Sequence, residues 1–312
     1  MKHLASAPAN IALIKYMGKS STQKNLPANP SFSYTLDNLR CFVELELHGA
    51  DKDIYQPLTH PDCQQYKTEL KAAAMQRFLK HFSFLKHQFD VKENFIVRSA
   101  INFPMNAGLA SSAASFAALT RCACECFSQL KNQPLLSINQ QAQLSRQGSG
   151  SSCRSFYSPW CLWQDELVEP VALPYESLHH QVILIENQPK KISSSQAHER
   201  IPTSLLYAAR PKRATTRLQH LLDALKQQAW QQAYEIVWQE FWDMHVLFET
   251  SQPPFGYMQA ESLAALIQLR DMWQQYQDGP LITMDAGCNI HLLYRADQTQ
   301  LMDIISAKFA VL

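Results

Sequence analysis

From Ala110 to Leu130 the chain runs without glycine or proline and is rich in alanine, the composition of a strong helix. Its approach is equally defined. Residues 95–98, FIVR, read as a short strand, then come Pro104 and a Gly-Ser segment, and the helix opens among small hydroxylated residues. A second helical stretch, Leu135 to Arg146, follows and stops at Gly148. Strand, tight turn and two helices in succession confine this half of the chain to a fold that mixes the two element types.

The remaining pattern keeps the mixture. Residues 41–47, CFVELEL, alternate apolar and charged like a half-buried strand, and VILI at 182–185 is a continuous apolar run suited to a buried one. Leu218, Leu221, Leu222 and Leu225 have helical spacing, and a long apolar stripe runs from Trp230 through Phe241 to Phe248 before Pro253-Pro254 ends it. Residues 259–276 read as helix, LITM (281–284) and IHLLY (290–294) as strands around an Asp-Ala-Gly turn, and 298–309 as a last helix. The expected class is α+β. At 312 residues the chain is long enough for about two domains, and we expect a division into 1–175 and 176–312. There are no internal repeats.

Composition removes several function classes. A net charge of +1 and a pI of about 7.6 lie below the range of about 9 and above typical of a nucleic-acid-binding domain. No apolar run approaches the roughly 18–20 residues of a membrane span, and Asn10 and Lys15 interrupt any signal-peptide core near the start. The eight cysteines contain no CxxC pair, so reduced thiols in a cytoplasmic protein are expected rather than a zinc site or disulfides. Gly18-Lys19-Ser20 lacks the glycine that a phosphate-binding P-loop needs five residues earlier, where Leu13 stands. The scattered histidines, His179-His180 among them, have no ligand spacing.

Only eight residues are glycine, against about 7% in an average protein, so where they cluster is informative. Gly108 precedes Ser111 and Ser112 at the start of the alanine-rich helix, where unpaired N–H groups and the helix dipole favour a phosphate. Ser-Ser there also serves as an ordinary N-cap. Arg146-Gln-Gly148-Ser149-Gly150-Ser151-Ser152-Cys-Arg154-Ser155 puts hydroxyls, permissive backbone and two arginines together, a set suited to a carboxylate or phosphate, with a solvated Ser-Gly loop as the alternative. Lys15 and Lys19 flank a strand end, Thr283-Met-Asp285-Ala-Gly287 offers a carboxylate in a turn, and Ser193-Ser194-Ser195 follows Lys190-Lys191. Each of these has a structural use as well. Together they supply phosphate cradles, cations and one carboxylate able to act as base, which points to phosphoryl transfer.

The strings APANIALIKYMGK, LPANPSFSYTL, NFPMNAGLASSAA, RQGSGSSCRS, KKISSS, HVLFETSQPPFGYM and ITMDAGCN run from residue 7 to residue 289, and in that order the chain resembles the diphosphomevalonate decarboxylase family. The glycine–serine element is shared with the wider galactokinase, homoserine kinase and mevalonate kinase superfamily. The resemblance implies a two-domain fold, with an N-terminal ribosomal-S5-like domain, a C-terminal α/β sandwich and the active site in the cleft between them. It also implies ATP with Mg2+, a cytoplasmic homodimer, and conversion of (R)-5-diphosphomevalonate to isopentenyl diphosphate, ADP, phosphate and CO2 in the mevalonate pathway, with no nucleic-acid or membrane partner. By the same resemblance Asp285, Lys15 and Arg154 are catalytic. Asn10, Tyr16, Lys19, Ser149, Ser151 and Ser194 bind substrate, and Gly108, Leu109, Ser111 and Ser112 hold the ATP phosphates. The family's usual Trp is Met17 here, its usual Asn-Ser-Ser is Asn29-Pro30-Ser31, and its Gly-Met is Ala197-His198. Other expectations that stay open are a decarboxylase or kinase acting on mevalonate 5-phosphate, and a non-catalytic relative that binds.

Overall fold

The computed structural model describes residues 2–22, 25–66, 69–104, 111–185 and 191–312. One long strand pair organises its first half. β1 (Lys2–Ile14) lies antiparallel to β4 (Ser31–His48) from Lys2 opposite Glu46 to Ile14 opposite Phe32. Between Pro8 and Ala9 the partner jumps from Arg40 to Leu36. The residues passed over, 37–39, form a bulge, which lets so long a pair bend. Two short strands, β2 (Lys19–Ser21) and β3 (Leu26–Pro27), make a small ribbon in the connection.

The far edge of β4 takes two partners. Its second half pairs with β6 (Asn94–Ile101), which is parallel to β5 (Ile54–Pro57). Its first half pairs with β7 (Trp160–Gln164), which continues to β8 (Leu167–Pro170). Helices α1 (Ala72–Gln88), α2 (Ser111–Leu130) and α3 (Ile138–Gly148) complete this half. The alanine-rich sequence explains how α2 sits: Ala113, Ala114, Ala117, Ala118 and Cys122 are all fully buried, and side chains this small let the helix axis come close to the sheet. Phe82, Phe95 and Phe127 meet beneath it with ring centroids 5.6–5.8 Å apart, each burial contributing about 1.5–3 kcal/mol.

The second half contains β9 (His179–Ile183), α4 (Ser194–Arg200), α5 (Arg210–Lys226), α6 (Trp230–Glu249), α7 (Ala260–Tyr276), β10 (Leu281–Thr283), β11 (Ile290–Tyr294) and α8 (Thr299–Lys308). Its sheet is antiparallel in the order β10-β11-β9. The α+β expectation holds. Two local readings change. VILI is not all strand, because β9 begins earlier at His179 and ends at Ile183. Helix α1 was not anticipated, since it opens at Lys71 without a side-chain cap.

All eight cysteines are free and only Cys288 is not buried; burial, with the negative charge of Glu125 adding to it, pushes the Cys124 thiol up to about 12. His180 and His291 stack and share a ring hydrogen bond of 3.1 Å. Among the described residues no helix is long and apolar enough to cross a membrane.

Candidate active site

Lys15 follows β1 directly and is 2% exposed. Its Nζ donates to Asp285 Oδ1 at 2.7 Å. Its own peptide is gripped on both sides. The backbone N–H donates to Glu240 Oε1 at 3.0 Å, while the carbonyl accepts from Asn29 Nδ2 at 3.0 Å and Arg210 Nη2 at 3.3 Å. Glu240 and Arg210 are themselves a fully buried ion pair between α5 and α6, bonded through both carboxylate oxygens and extended by Asp243 and Arg217. Burial holds the Lys15 ammonium below the usual lysine range, and the negative charges of Asp285 and Glu240 offset part of that loss.

Asp285 sits in the turn between β10 and β11, and its side chain is 28% exposed. Two groups hold its carbonyl: the Gly287 N–H donates at 2.7 Å, and His245 Nε2 lies at 3.1 Å. The carboxylate is therefore pinned by Lys15 on one oxygen while it stays open to the cavity.

Beyond α3 the Ser-Gly segment coils into a 3-10 helix, Gly150–Phe156. It is cross-tied by Ser152 Oγ donating to the Ser149 carbonyl at 2.7 Å. This coil presents Arg154, 4% exposed, whose Nε donates to Asn10 Oδ1 at 3.2 Å. Asn10 in turn donates through Nδ2 to Ser155 Oγ at 2.8 Å and to the Ser151 carbonyl at 3.3 Å. Arg154 Nη1 is buried with no hydrogen-bond partner among the described residues, although Arg154 itself lines the cavity. A buried guanidinium with a free donor is chemically suited to an anion.

These groups open on one cavity of about 400 Å3. At its other end Tyr16 is sandwiched by Trp163 and His198, with centroids at 4.6 and 4.3 Å. The Tyr16 hydroxyl is buried without a partner among the described residues, and burial raises its pKa far above the usual phenol range. Lys19 Nζ donates to Asn25 Oδ1 at 2.8 Å, and Asn25 Nδ2 in turn donates to the carbonyls of Arg146 and Gln147. Ser194, Ser149, Ser151 and the α2 residues Ser111 and Ser112 also line the cavity.

Of the residues singled out in the sequence, Lys15, Tyr16, Lys19, Ser111, Ser112, Ser149, Ser151, Arg154, Ser194 and Asp285 come together here. Asn10 stands behind Arg154 rather than on the cavity wall. Arg146 turns away toward the Asp165 carbonyl at 3.4 Å, so only one of the two arginines of that segment faces the cavity. Gly108 and Leu109 fall outside the described residues.

The glycines also act differently from expectation. Among those described, only Gly18 has a positive φ, +99°. Gly150 is needed for close approach instead: a Cβ there would meet Tyr16 Cε1 at 2.7 Å. Sequence reading missed Arg77 of α1, which lines the cavity while its Nη2 donates to the Gly148 carbonyl at 2.7 Å. It also missed the Glu240–Arg210 support and the cavity position of His198. Phe78, Phe82 and Leu85 at helical spacing were a signal that could have revealed α1.

A cleft lined by a buried lysine paired with an aspartate, a buried arginine and serines at a helix start is that of an enzyme acting on a small molecule. The comparisons are more specific. Residues 7–169 match the model of the diphosphomevalonate decarboxylase-like N-terminal domain, and residues 181–311 match that of the mevalonate 5-diphosphate decarboxylase C-terminal domain. The chain belongs to the diphosphomevalonate decarboxylase family.

Among curated relatives, diphosphomevalonate decarboxylase mvd1 of Aspergillus fumigatus is 30% identical over 93% of this chain and 76% of its own length. The Danio rerio diphosphomevalonate decarboxylase is 30% identical over 91% and 74%. Among solved structures, a mevalonate diphosphate decarboxylase from Legionella pneumophila is 48% identical with a TM-score of 0.93, covering 100% of both chains. A structure of MDDEF in complex with MVAPP, AMPPCP and magnesium is 26% identical with a TM-score of 0.87, covering 99% of this chain and 94% of that one.

Proposed function

We propose that this cavity carries out the ATP-dependent decarboxylation of (R)-5-diphosphomevalonate, the carboxy-lyase reaction of the family, with Asp285, Lys15 and Arg154 at the reacting end. The observation that carries the reading is the 2.7 Å Lys15–Asp285 contact, buried on the lysine side and open on the carboxylate side.

The substrate's 3-hydroxyl is a poor leaving group until it is phosphorylated. Asp285 orients that hydroxyl and takes its proton as the oxygen attacks the γ-phosphorus of ATP; the new O–P bond forms and ADP departs. Lys15 holds Asp285 in place and offsets charge on the transferred group. The 3-phosphate then leaves with the C–O electron pair. The carbon–carboxylate bond breaks, its electrons form the double bond of isopentenyl diphosphate, and CO2 is released. Arg154, with its free Nη1, holds the substrate carboxylate. Tyr16, Lys19, Ser149, Ser151 and Ser194 serve the substrate and its diphosphate, with Asn10 acting through Arg154.

The start of α2 at Ser111 and Ser112 receives the nucleotide phosphates, together with Gly108 and Leu109 before it. Among the described residues no three His, Cys, Asp or Glu side chains gather to hold a metal. The serine hydroxyls and the Asp285 carboxylate among the described cavity residues fit a nucleotide-borne Mg2+, which would keep water and phosphate oxygens as most of its ligands and would screen phosphate charge.

The reading extends to a cytoplasmic homodimer of chains divided into domains 1–175 and 176–312. Light scattering after gel filtration tests the dimer.

The deciding assay supplies ATP with either diphosphomevalonate or mevalonate 5-phosphate and measures ADP and CO2. Equal release of both products from the diphosphate supports the reading. ADP without CO2 makes the protein a kinase, preference for the monophosphate changes the substrate, and neither product leaves a binding protein.

A further inference from the structure

The cavity wall holds a histidine that none of the roles above uses. His198 of α4 lines the cavity and is half-buried, its ring tilted 40° against that of Tyr16 with the centroids 4.3 Å apart. Its Nδ1 accepts the Gly18 backbone N–H at 3.0 Å. Gly18 can aim that N–H because it adopts φ +99°, a conformation L side chains rarely adopt, and a Cβ there would strike Tyr207 Oη at 2.3 Å.

An N–H pointing at Nδ1 fixes the tautomer: Nδ1 must carry the lone pair, so Nε2 carries the proton. Nε2 has no hydrogen-bond partner among the described residues and is not among the buried orphaned atoms. The imidazole is thus a donor of fixed direction on the wall of the cavity that Lys19, Arg77 and Ser194 also line.

We propose that His198 is a specificity-determining residue for the diphosphate end of the substrate, donating its Nε2–H to a terminal phosphate oxygen. The proposal rests on the reading of the cavity as a diphosphomevalonate site. Burial, with Lys19 nearby, pushes the imidazole down to about 3, so the ring stays neutral across the physiological range. A neutral donor adds a hydrogen bond without adding repulsion against Lys19 or Arg77. A monophosphate lacks the terminal phosphoryl group that would accept this hydrogen bond.

The test combines a direct and a kinetic readout. In 15N-histidine-labelled protein without nucleotide, the His198 ring shows the neutral Nε2–H pattern at pH 7, and its Nε2 proton moves downfield as diphosphomevalonate is added. His198→Leu raises KM for diphosphomevalonate about tenfold, the worth of one hydrogen bond to a charged group. KM for ATP and kcat stay within about twofold, because the reacting end is untouched. His198→Gln, which restores a donor at nearly the same place, recovers most of the loss. Thermal melts of both variants establish that they are folded.

A Leu variant with the parent's KM, or an Nε2 proton that ignores saturating substrate, overturns the proposal and leaves the cavity reading standing. So does a folded Gln variant that recovers nothing, or a Leu variant that loses ATP and substrate affinity together, since both indicate a packing role. A parent protein that neither binds nor turns over diphosphomevalonate overturns the cavity reading, and this proposal with it.

Discussion

The two ends of the cavity are built on opposite principles. At the reacting end Lys15 is 2% exposed, its peptide is held by Glu240, Asn29 and Arg210, and Arg154 is backed by Asn10. At the anion end Lys19, Arg77 and Ser194 are partly or fully exposed on short or helical surface elements, with Lys19 tied to Asn25 and Arg77 to the Gly148 carbonyl. The first end fixes geometry and strengthens electrostatics by excluding water. The second gathers charge from solvent-facing side chains, whose pull is screened and whose position is cheaper to change. Catalytic rate should therefore depend on the first and substrate affinity on the second.

Four substitutions can break or sharpen that contrast, starting with the largest effect. Asp285→Asn should cut CO2 and ADP release by about 10³-fold or more while ATP affinity, read by calorimetry, changes by less than about twofold. Near-normal turnover would show that Asp285 is not the base. Next, Arg154→Lys removes the planar fork and should lower kcat/KM for diphosphomevalonate about 10²-fold with ATP affinity kept. An unchanged value would mean that the carboxylate binds elsewhere.

Glu240→Gln should cost about 2 kcal/mol in urea unfolding, below the usual penalty for breaking a buried pair because Asp243 still faces Arg210. It carries a second signature. Lys15 already titrates below the usual lysine value through burial, with Glu240 partly restoring it. Removing that negative charge lowers the Lys15 value further, so the alkaline fall of kcat begins at lower pH than in the parent. A limb that does not move would separate Glu240 from Lys15. Smallest, Lys19→Gln should raise KM for diphosphomevalonate about fivefold, an effect that fades at high salt, with kcat unchanged. A large kcat loss there would erase the distinction between the ends.

The sequence made the chemistry-bearing strings legible but not their supports. Lys15, Arg154 and Asp285 each lie in a short distinctive stretch, and α2 was readable because alanine without glycine or proline leaves few alternatives. Arg77 was hidden because its helix starts uncapped and its cavity-facing role depends on the Gly148 carbonyl, 71 positions away. Glu240 looked like one more residue on an apolar stripe, since its partners, the Lys15 backbone and Arg210, are 225 and 30 positions distant. By composition the Ser-Gly segment reads as permissive backbone around two cations. In the fold Gly150 is a place where Tyr16 needs room, and one arginine points away. Local composition shows which residue types are available, but which way a side chain turns is decided by contacts across the chain.

The Lys15–Asp285 contact spans 270 positions, and this has a consequence for how the molecule is made. A ribosome releases Lys15 early, and β1 can zip onto β4 soon after His48 emerges, yet both counter-charges belong to the second half. Until they arrive, shielding that ammonium from water has no compensation, so a nascent N-terminal half is better served by leaving it hydrated. The Lys15–Asp285 pair can thus form only once most of the chain has been made, and a chain truncated before Asp285 leaves that ammonium without this counter-charge.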